Sequence, residues 1–247
     1  MKNLMVANYV EGNKRYSLLS LETLLKAQIE NSLDLNWRKK DIIILSNFDF
    51  EYMGVKTIKI PLNDFCFTGS KMFAIKWLFE NFKMKDVVWS HDLDAWQNAE
   101  FECPDFEHVG IATYSQPKYN GGSVFWTRKA KDIIKRVCKT LVEDNASREE
   151  PTLNKILKSK KYRDRVTIVN NTFNVGCSGF VKRYNRSEKP IKVCHFHPYN
   201  RTAWETHTMD RNKIDEIPVS RRLERLLRKY FLNLPIKLKG EKNDRKK

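Results

Sequence analysis

Apolar residues along this chain follow two rhythms that change over from segment to segment. Residues 3–9 (NLMVANY) are a short apolar run that reads as a buried opening strand. Across 16–33, Leu18, Leu21, Leu25 and Ile29 recur at helical spacing. Residues 41–45 (DIIIL) are a β-branched run, and 55–60 alternate until Pro61 stops them, so both predict strands. A helix is predicted over 70–82. Residues 87–89 form an apolar strand that runs directly into His91-Asp92-Leu93-Asp94. Strand, helix, strand, strand, helix, strand predicts an α/β protein with a single mixed, mostly parallel sheet flanked by helices.

The second half is less regular. Residues 109–114 and 123–127 read as strands, with Tyr119-Asn120-Gly121-Gly122 as the turn between them. A helix over 129–143 carries Ile133, Ile134, Val137 and Leu141 on one face. Pro151 suits the first turn of a further helix reaching Leu157. Residues 165–169, 174–181 and 191–196 read as short strands. In 219–232, Val219, Leu223, Leu226, Leu227, Tyr230 and Phe231 fall on one helical face, with arginines and Lys229 over much of the rest. The last stretch, 237–247 (KLKGEKNDRKK), is expected to be disordered. No repeat and no interdomain linker is visible. The expected division is a catalytic body over 1–217 and a basic amphipathic helix and tail over 218–247.

Composition narrows the class. The chain has 247 residues, 41% of them hydrophobic and 12% aromatic, which excludes a wholly disordered protein. No apolar run approaches the roughly 18–20 residues of a membrane span, and the first residues lack a signal-peptide pattern, so a cytoplasmic location is expected. Five cysteines without C-x-x-C spacing argue against a disulfide framework or a cysteine zinc site. Net charge is +16, but the last thirty residues hold eleven basic and three acidic residues, so half of the excess belongs to the tail. A basic amphipathic helix at 219–232 can lie on the anionic cytoplasmic face of a membrane, or it can pack Leu223, Leu227 and Phe231 on the body. A nucleic-acid binder is the reading the charge alone would suggest. The concentration of charge in the tail and the lack of a nucleic-acid motif weigh against it.

Chemistry gathers at a few places. Asp92 and Asp94 follow a strand directly, and open α/β sheets bind ligands outside the carboxyl ends of their strands. Two such carboxylates can share Mg²⁺ or Mn²⁺, which also take phosphate oxygens; a solvated acidic turn would look the same. In VCHFHP, His195 and His197 face one way if the segment is a strand end, and either can complete an Asp/Asp/His set. Gly121 and Gly122 permit a tight turn or close approach to backbone. Glu149 and Glu150 precede a helix, where acidic residues are favourable for dipole reasons alone. P-loop, dinucleotide-fold and nucleophile-elbow motifs are absent from the sequence.

Taken in this order, the pieces resemble the nucleotide-sugar-dependent glycosyltransferases of the GT-A fold, of the glycogenin and bacterial lipooligosaccharide galactosyltransferase type. The matching residues are Ala7-Asn8-Tyr9 at the first strand end, VVWSHDLDAW, YNGGSVFW, REEPTLN and VCHFHPY, over about residues 3–205. The resemblance implies a GT-A fold and a sugar moved from a nucleoside-diphosphate donor to a carbohydrate, lipid-linked or other hydroxyl acceptor. Uridine diphosphate is the implied carrier, with guanosine diphosphate as the other. It implies Mn²⁺ or Mg²⁺ on Asp92, Asp94 and His195, with His197 second. Donor contacts would come from Ala7, Asn8, Tyr9, His91, Asp92, Asn120, Gly121 and Gly122, and from Lys71 if it is not simply a surface lysine. Glu149 or Glu150 would deprotonate the acceptor or hold the donor sugar. The type usually has Asp-Gln where this chain has Glu149-Glu150, which leaves the stereochemical outcome open. A metal-dependent phosphoryl-transfer enzyme could use the same D-x-D.

Overall fold

The computed structural model describes residues 1–12, 17–62, 69–115, 118–146, 148–176, 180–196 and 219–231. Strand β1 (Lys2–Ala7) lies at the centre of an eight-stranded sheet. Its alternate residues serve two faces. Leu4 packs with the helices α2 (Ser70–Asn81), α3 (Lys131–Glu143) and α4 (Glu149–Leu157), while Met5 and Ala7 pack with Leu25 and Ile29 of α1 (Leu18–Leu33). Period-2 side chains between period-3.6 helices give three layers. The helix α1 starts where Ser17 Oγ accepts from the Ser20 amide at 3.1 Å, an N-cap.

The strands β2 (Ile42–Ser46) and β4 (Val55–Lys59) extend the sheet in parallel on one side of β1, and β5 (Val88–His91) pairs in parallel on the other. The chain therefore builds outward from β1, then returns through α2 to its opposite side. The crevice between the ends of β1 and β5 is the switch point at which open α/β sheets bind ligands. The antiparallel pair β7 (Val109–Ser115) and β8 (Lys118–Trp126) follows beyond β5, and β9 (Val166–Ile168) closes that edge. The two-residue β3 (Glu51–Tyr52) turns onto β4 through Met53 and Gly54, both at positive φ.

Two elements differ from the sequence reading. Residues 119–122 are not a turn but the first half of β8, and all four are buried. Among the described residues of 174–181, β10 (Val175–Gly176) is a strand, and Phe180 and Val181 already belong to the helix α5 (Phe180–Arg186). Phe180, Val181 and Tyr184 have helical spacing, which the apolar FV pair conceals when read locally. A second small sheet joins β10, β11 (Val193–His195) and β6 (Ala95–Gln97).

The helix α6 (Arg221–Phe231) settles the alternatives for its apolar face. Leu223, Leu226, Leu227 and Phe231 are buried against Leu24 and Ala27 of α1 and against Trp96, whose ring meets Phe231 edge-on at 5.8 Å. The face expected on an anionic membrane is covered by protein instead. Polar ties add to this. Arg222 donates to Asn31 Oδ1 at 2.8 Å and to the Gln97 carbonyl at 3.0 Å, and Glu30 accepts from Tyr52 and Lys229 at 2.6 and 2.8 Å. The remaining residues of the basic tail, 232–247, lie outside the described residues. Among the described residues, no helix is long and apolar enough to cross a membrane.

Two stability predictions follow from this packing. Phe231→Ala empties a buried aromatic site and is expected to cost about 3–5 kcal/mol in denaturant unfolding; an unchanged midpoint would mean that α6 does not dock. Burial pushes the Glu30 carboxyl up, but hydrogen bonds from Lys229, Tyr230 and Tyr52 outweigh it and hold the group below its ordinary value of 4.5. Its contribution is therefore present above pH 4.5 and lost as pH falls through the lower folded value. Glu30→Gln should flatten that part of the acid stability profile, and a profile as steep as the wild type's would refute the clasp.

Candidate active site

The site grows from strand ends. Val6 of β1 and Asn8 just beyond it line a cleft at the switch point, while Ala7 between them is fully buried in the core. Tyr9 does not line it; its amide donates to Asn47 Oδ1 at 2.8 Å and its carbonyl accepts from Asn47 Nδ2 at 2.6 Å. On the neighbouring strand, Met5 pairs with His91, so Asp92, Leu93 and Asp94 emerge beside Asn8 and line the same cleft.

His91 is occupied by the fold. Its ring is 2% exposed, stacks on Trp89 at 4.2 Å, and engages Asn3 Oδ1 and the Asp92 carbonyl at 2.8 and 2.9 Å. Burial pushes its pKa down to about 4, so the ring is neutral, and the residue also lines the cleft.

His195 is brought in by a pairing the sequence did not announce. In the antiparallel pair β6–β11, Ala95 lies opposite His195, and the Phe196 amide donates to the Asp94 carbonyl at 2.8 Å. This sets His195 Nε2 at 3.3 Å from Asp94 Oδ1 and 3.6 Å from Asp92 Oδ2. One ligand atom from each of Asp92, Asp94 and His195 falls within 4.8 Å of the others. Asn174 Oδ1 accepts from Nδ1 at 3.1 Å, which leaves Nε2 for the carboxylate side. Burial lowers the His195 pKa, but Asp94 and Asp92 outweigh it and raise it. Two carboxylates that stabilise an imidazolium proton would stabilise a divalent cation in its place. Hard oxygens with one imidazole fit Mn²⁺ or Mg²⁺. His197 lies outside the described residues.

Gly122 of β8 makes room for this ring. A methyl group at Gly122 would overlap the His195 imidazole. The Gly122 carbonyl accepts from the Asp92 amide at 2.9 Å, and Asn120 Oδ1 accepts from the Gly122 amide at 2.9 Å. The close approach is therefore made by a side chain of the site itself.

Lys71, in the first turn of α2, is only 9% exposed rather than a surface residue. Its ammonium is surrounded by Asp92 Oδ1 at 2.5 Å, the Gly121 carbonyl at 2.8 Å and Glu149 Oε1 at 2.9 Å. Burial opposes its charge, but the two carboxylates raise its pKa above the ordinary lysine value. Glu149 is buried and its pKa is pushed up to about 7, because burial outweighs the attraction of Lys71. Its neighbour Glu150 is held differently. Oε2 accepts from Tyr114 Oη at 3.1 Å, and Oε1 lies 3.4 Å from Lys118 Nζ.

Asp92, Asp94, His195, Lys71, Glu149, Glu150, Asn8, Asn120, Gly121 and Gly122 thus line one cleft of about 460 Å³. Its lining residues hold four buried polar atoms with no hydrogen-bond partner among the described residues: both amide atoms of Asn8, Asn120 Nδ2 and Glu149 Oε2. Native interiors rarely leave such atoms unpaired. Sequence reasoning missed Tyr114, Arg148 and Asn174. Asn174 carries no local signal, since only the fold brings it to His195.

Gly122→Ala is expected to displace the His195 ring and weaken Mn²⁺ binding by about 10–100-fold, the range seen when a ligand's support is lost. Titration followed by electron paramagnetic resonance would measure it; unchanged affinity would detach His195 from the cation site.

No family model matches the chain, and no curated protein matches it by sequence. Solved structures do match. The galactosyltransferase LgtC, in complex with donor and acceptor sugar analogues, superposes with a TM-score of 0.59 at 14% identity, over 95% of this chain and 98% of LgtC. The glycosyltransferase GlyE of Streptococcus pneumoniae gives 0.56 at 13% identity, over 93% of this chain and 62% of GlyE. The bifunctional glycosyltransferase WbbM gives 0.52 at 13% identity, over 87% and 51%. The fold of this chain is that of the GT-A-type glycosyltransferases.

Proposed function

We propose that this protein is a divalent-metal-dependent glycosyltransferase. In this reading it moves a sugar from a nucleoside-diphosphate donor, carried on uridine diphosphate, to a hydroxyl of a carbohydrate or lipid-linked acceptor. The observation that carries the reading is the cleft itself. Asp92, Asp94 and His195, whose ligand atoms converge as a shared cation would need, line one cavity with Asn8, Asn120 and Glu149 at the switch point of a glycosyltransferase fold.

Each residue then has a chemical task. Asn8 offers one donor and one acceptor, the complement of a base edge that carries N–H beside C=O. Asp92, Asp94 and His195 would hold the cation, which supplies positive charge where the diphosphate leaving group gains negative charge. As the glycosidic bond breaks, its electron pair goes to a diphosphate oxygen, and the acceptor oxygen forms the new bond and gives up its proton. Lys71 fixes Asp92 and Glu149 in one arrangement. Glu149 and Asn120, which line the cleft, would hold hydroxyls of the donor sugar. Glu150, farther exposed and oriented by Tyr114, faces the acceptor and takes the proton. Preorganised charge of this kind is commonly the largest catalytic term. Phosphoryl-transfer chemistry could use the same aspartates, but the fold favours sugar transfer.

Calorimetric titration of uridine diphosphate, with and without Mn²⁺, tests the reading. Binding should require Mn²⁺ and weaken at least about 100-fold, roughly 2.7 kcal/mol, in Asp92→Ala/Asp94→Ala. Metal-independent binding, or binding that survives the double variant, would sink it.

A further inference from the structure

Among the described residues, the charges of the cleft are paired with one exception. Asp92 and Glu149 share Lys71, Asp94 faces His195, and Glu150 lies against Lys118. Arg148 lines the same cleft, is exposed, and makes no ion pair or side-chain hydrogen bond to a described residue.

Helix formation does not account for an arginine here. Arg148 is the N-cap of α4, with extended backbone at φ −142° and ψ 139°, and its side chain makes no capping bond. A guanidinium has no acceptor with which to cap an amide. Its positive charge also sits at the positive end of the helix dipole, where acidic groups are preferred. The position thus breaks two local rules of helix initiation at the rim of the candidate active site. Such local violations concentrate where function sets the residue.

Two cations flank Glu150 at this rim. Arg148 stands two residues before it in the chain, and Lys118, itself exposed, approaches it at 3.4 Å. Against the floor of carboxylates, a neutral sugar would leave Arg148 unpaired. A planar guanidinium matches the two oxygens of a carboxylate or of a phosphate.

From this we infer that the sugar at the outer end of the cleft carries a negative charge, a carboxylate or a phosphate monoester, and that Arg148 recognises it with Lys118 in support. The inference rests on the glycosyltransferase reading and narrows its substrate class to anionic sugars. The charge can reside on the acceptor or on the donor sugar.

Two arms of one binding experiment separate these sources. In the first, protein saturated with uridine diphosphate and Mg²⁺ is titrated with matched pairs: methyl glucuronide against methyl glucoside, methyl galacturonide against methyl galactoside, and mannose 6-phosphate against mannose. In the second, uridine-diphosphate glucuronate is compared with uridine-diphosphate glucose. Ligand-observed nuclear magnetic resonance reads both arms.

The charged member of at least one pair should bind about tenfold or more tightly. Arg148→Ala should bring that ratio to within about twofold of unity, and Arg148→Lys should restore part of it. Equal binding within every pair, or a ratio that survives Arg148→Ala, overturns the inference. Weaker binding of uridine diphosphate by Arg148→Ala with the sugar ratio unchanged also overturns it, by assigning Arg148 to the diphosphate. Binding of uridine diphosphate to the wild type separates the two levels. If it occurs without any charge preference, only this inference falls. If it is absent, the glycosyltransferase reading falls and takes this one with it.

Discussion

The antiparallel pairing of β6 with β11 is the constraint on which the site depends. Asp92 and Asp94 come from the end of one sheet strand, and His195 arrives a hundred residues later. Three ladder positions, Ala95 with His195, Trp96 with Cys194 and Gln97 with Val193, hold the two segments in register. A slip of one residue would turn the imidazole to the opposite face, because strand side chains alternate. Trp96 anchors the register from below, donating to the Phe196 carbonyl at 3.1 Å and packing on Phe231 of α6. The docking of the C-terminal helix and the geometry of the cation site are thereby parts of one packing problem.

Around that pairing, the protein tolerates unfavourable electrostatics in return for a prearranged site. Lys71, Glu149 and His195 are all largely desolvated. Burial raises Glu149 toward neutrality, while Asp92 and Glu149 keep Lys71 charged. A buried ion pair of this type contributes little net stability and loses several kcal/mol when one partner is removed. Its use is orientation: Lys71 joins α2, β8 and α4 at a single ammonium. The buried atoms of Asn8, Asn120 and Glu149 that have no hydrogen-bond partner among the described residues are the complementary cost.

The first half of the fold was legible because its signals are local. The run at 41–45 and the helical spacing of Leu18, Leu21, Leu25 and Ile29 each identify an element without tertiary information; Leu21, Leu25 and Ile29 are buried, while Leu18, at the first turn, is exposed. The D-x-D was legible from its place at a strand end. The YNGG segment was misread because adjacent glycines usually signal a turn. Here the missing side chain of Gly122 clears space for His195, a reason visible only in three dimensions. Residues 174–181 were misread because β10 is two residues long and a helix begins soon after it. The roles of Asn174 and Tyr114 are set by contacts across the fold, with His195 and Glu150, so no spacing rule could have identified them.

The central claim is that Asp92, Asp94 and His195 form one cation site, closed by the β6–β11 register. Electron spin-echo modulation of the Mn²⁺-loaded protein tests it most directly, because it detects a nitrogen bound to the metal. The account predicts modulation from one imidazole that disappears in His195→Gln. Modulation that persists in that variant, or none in the wild type, would contradict it.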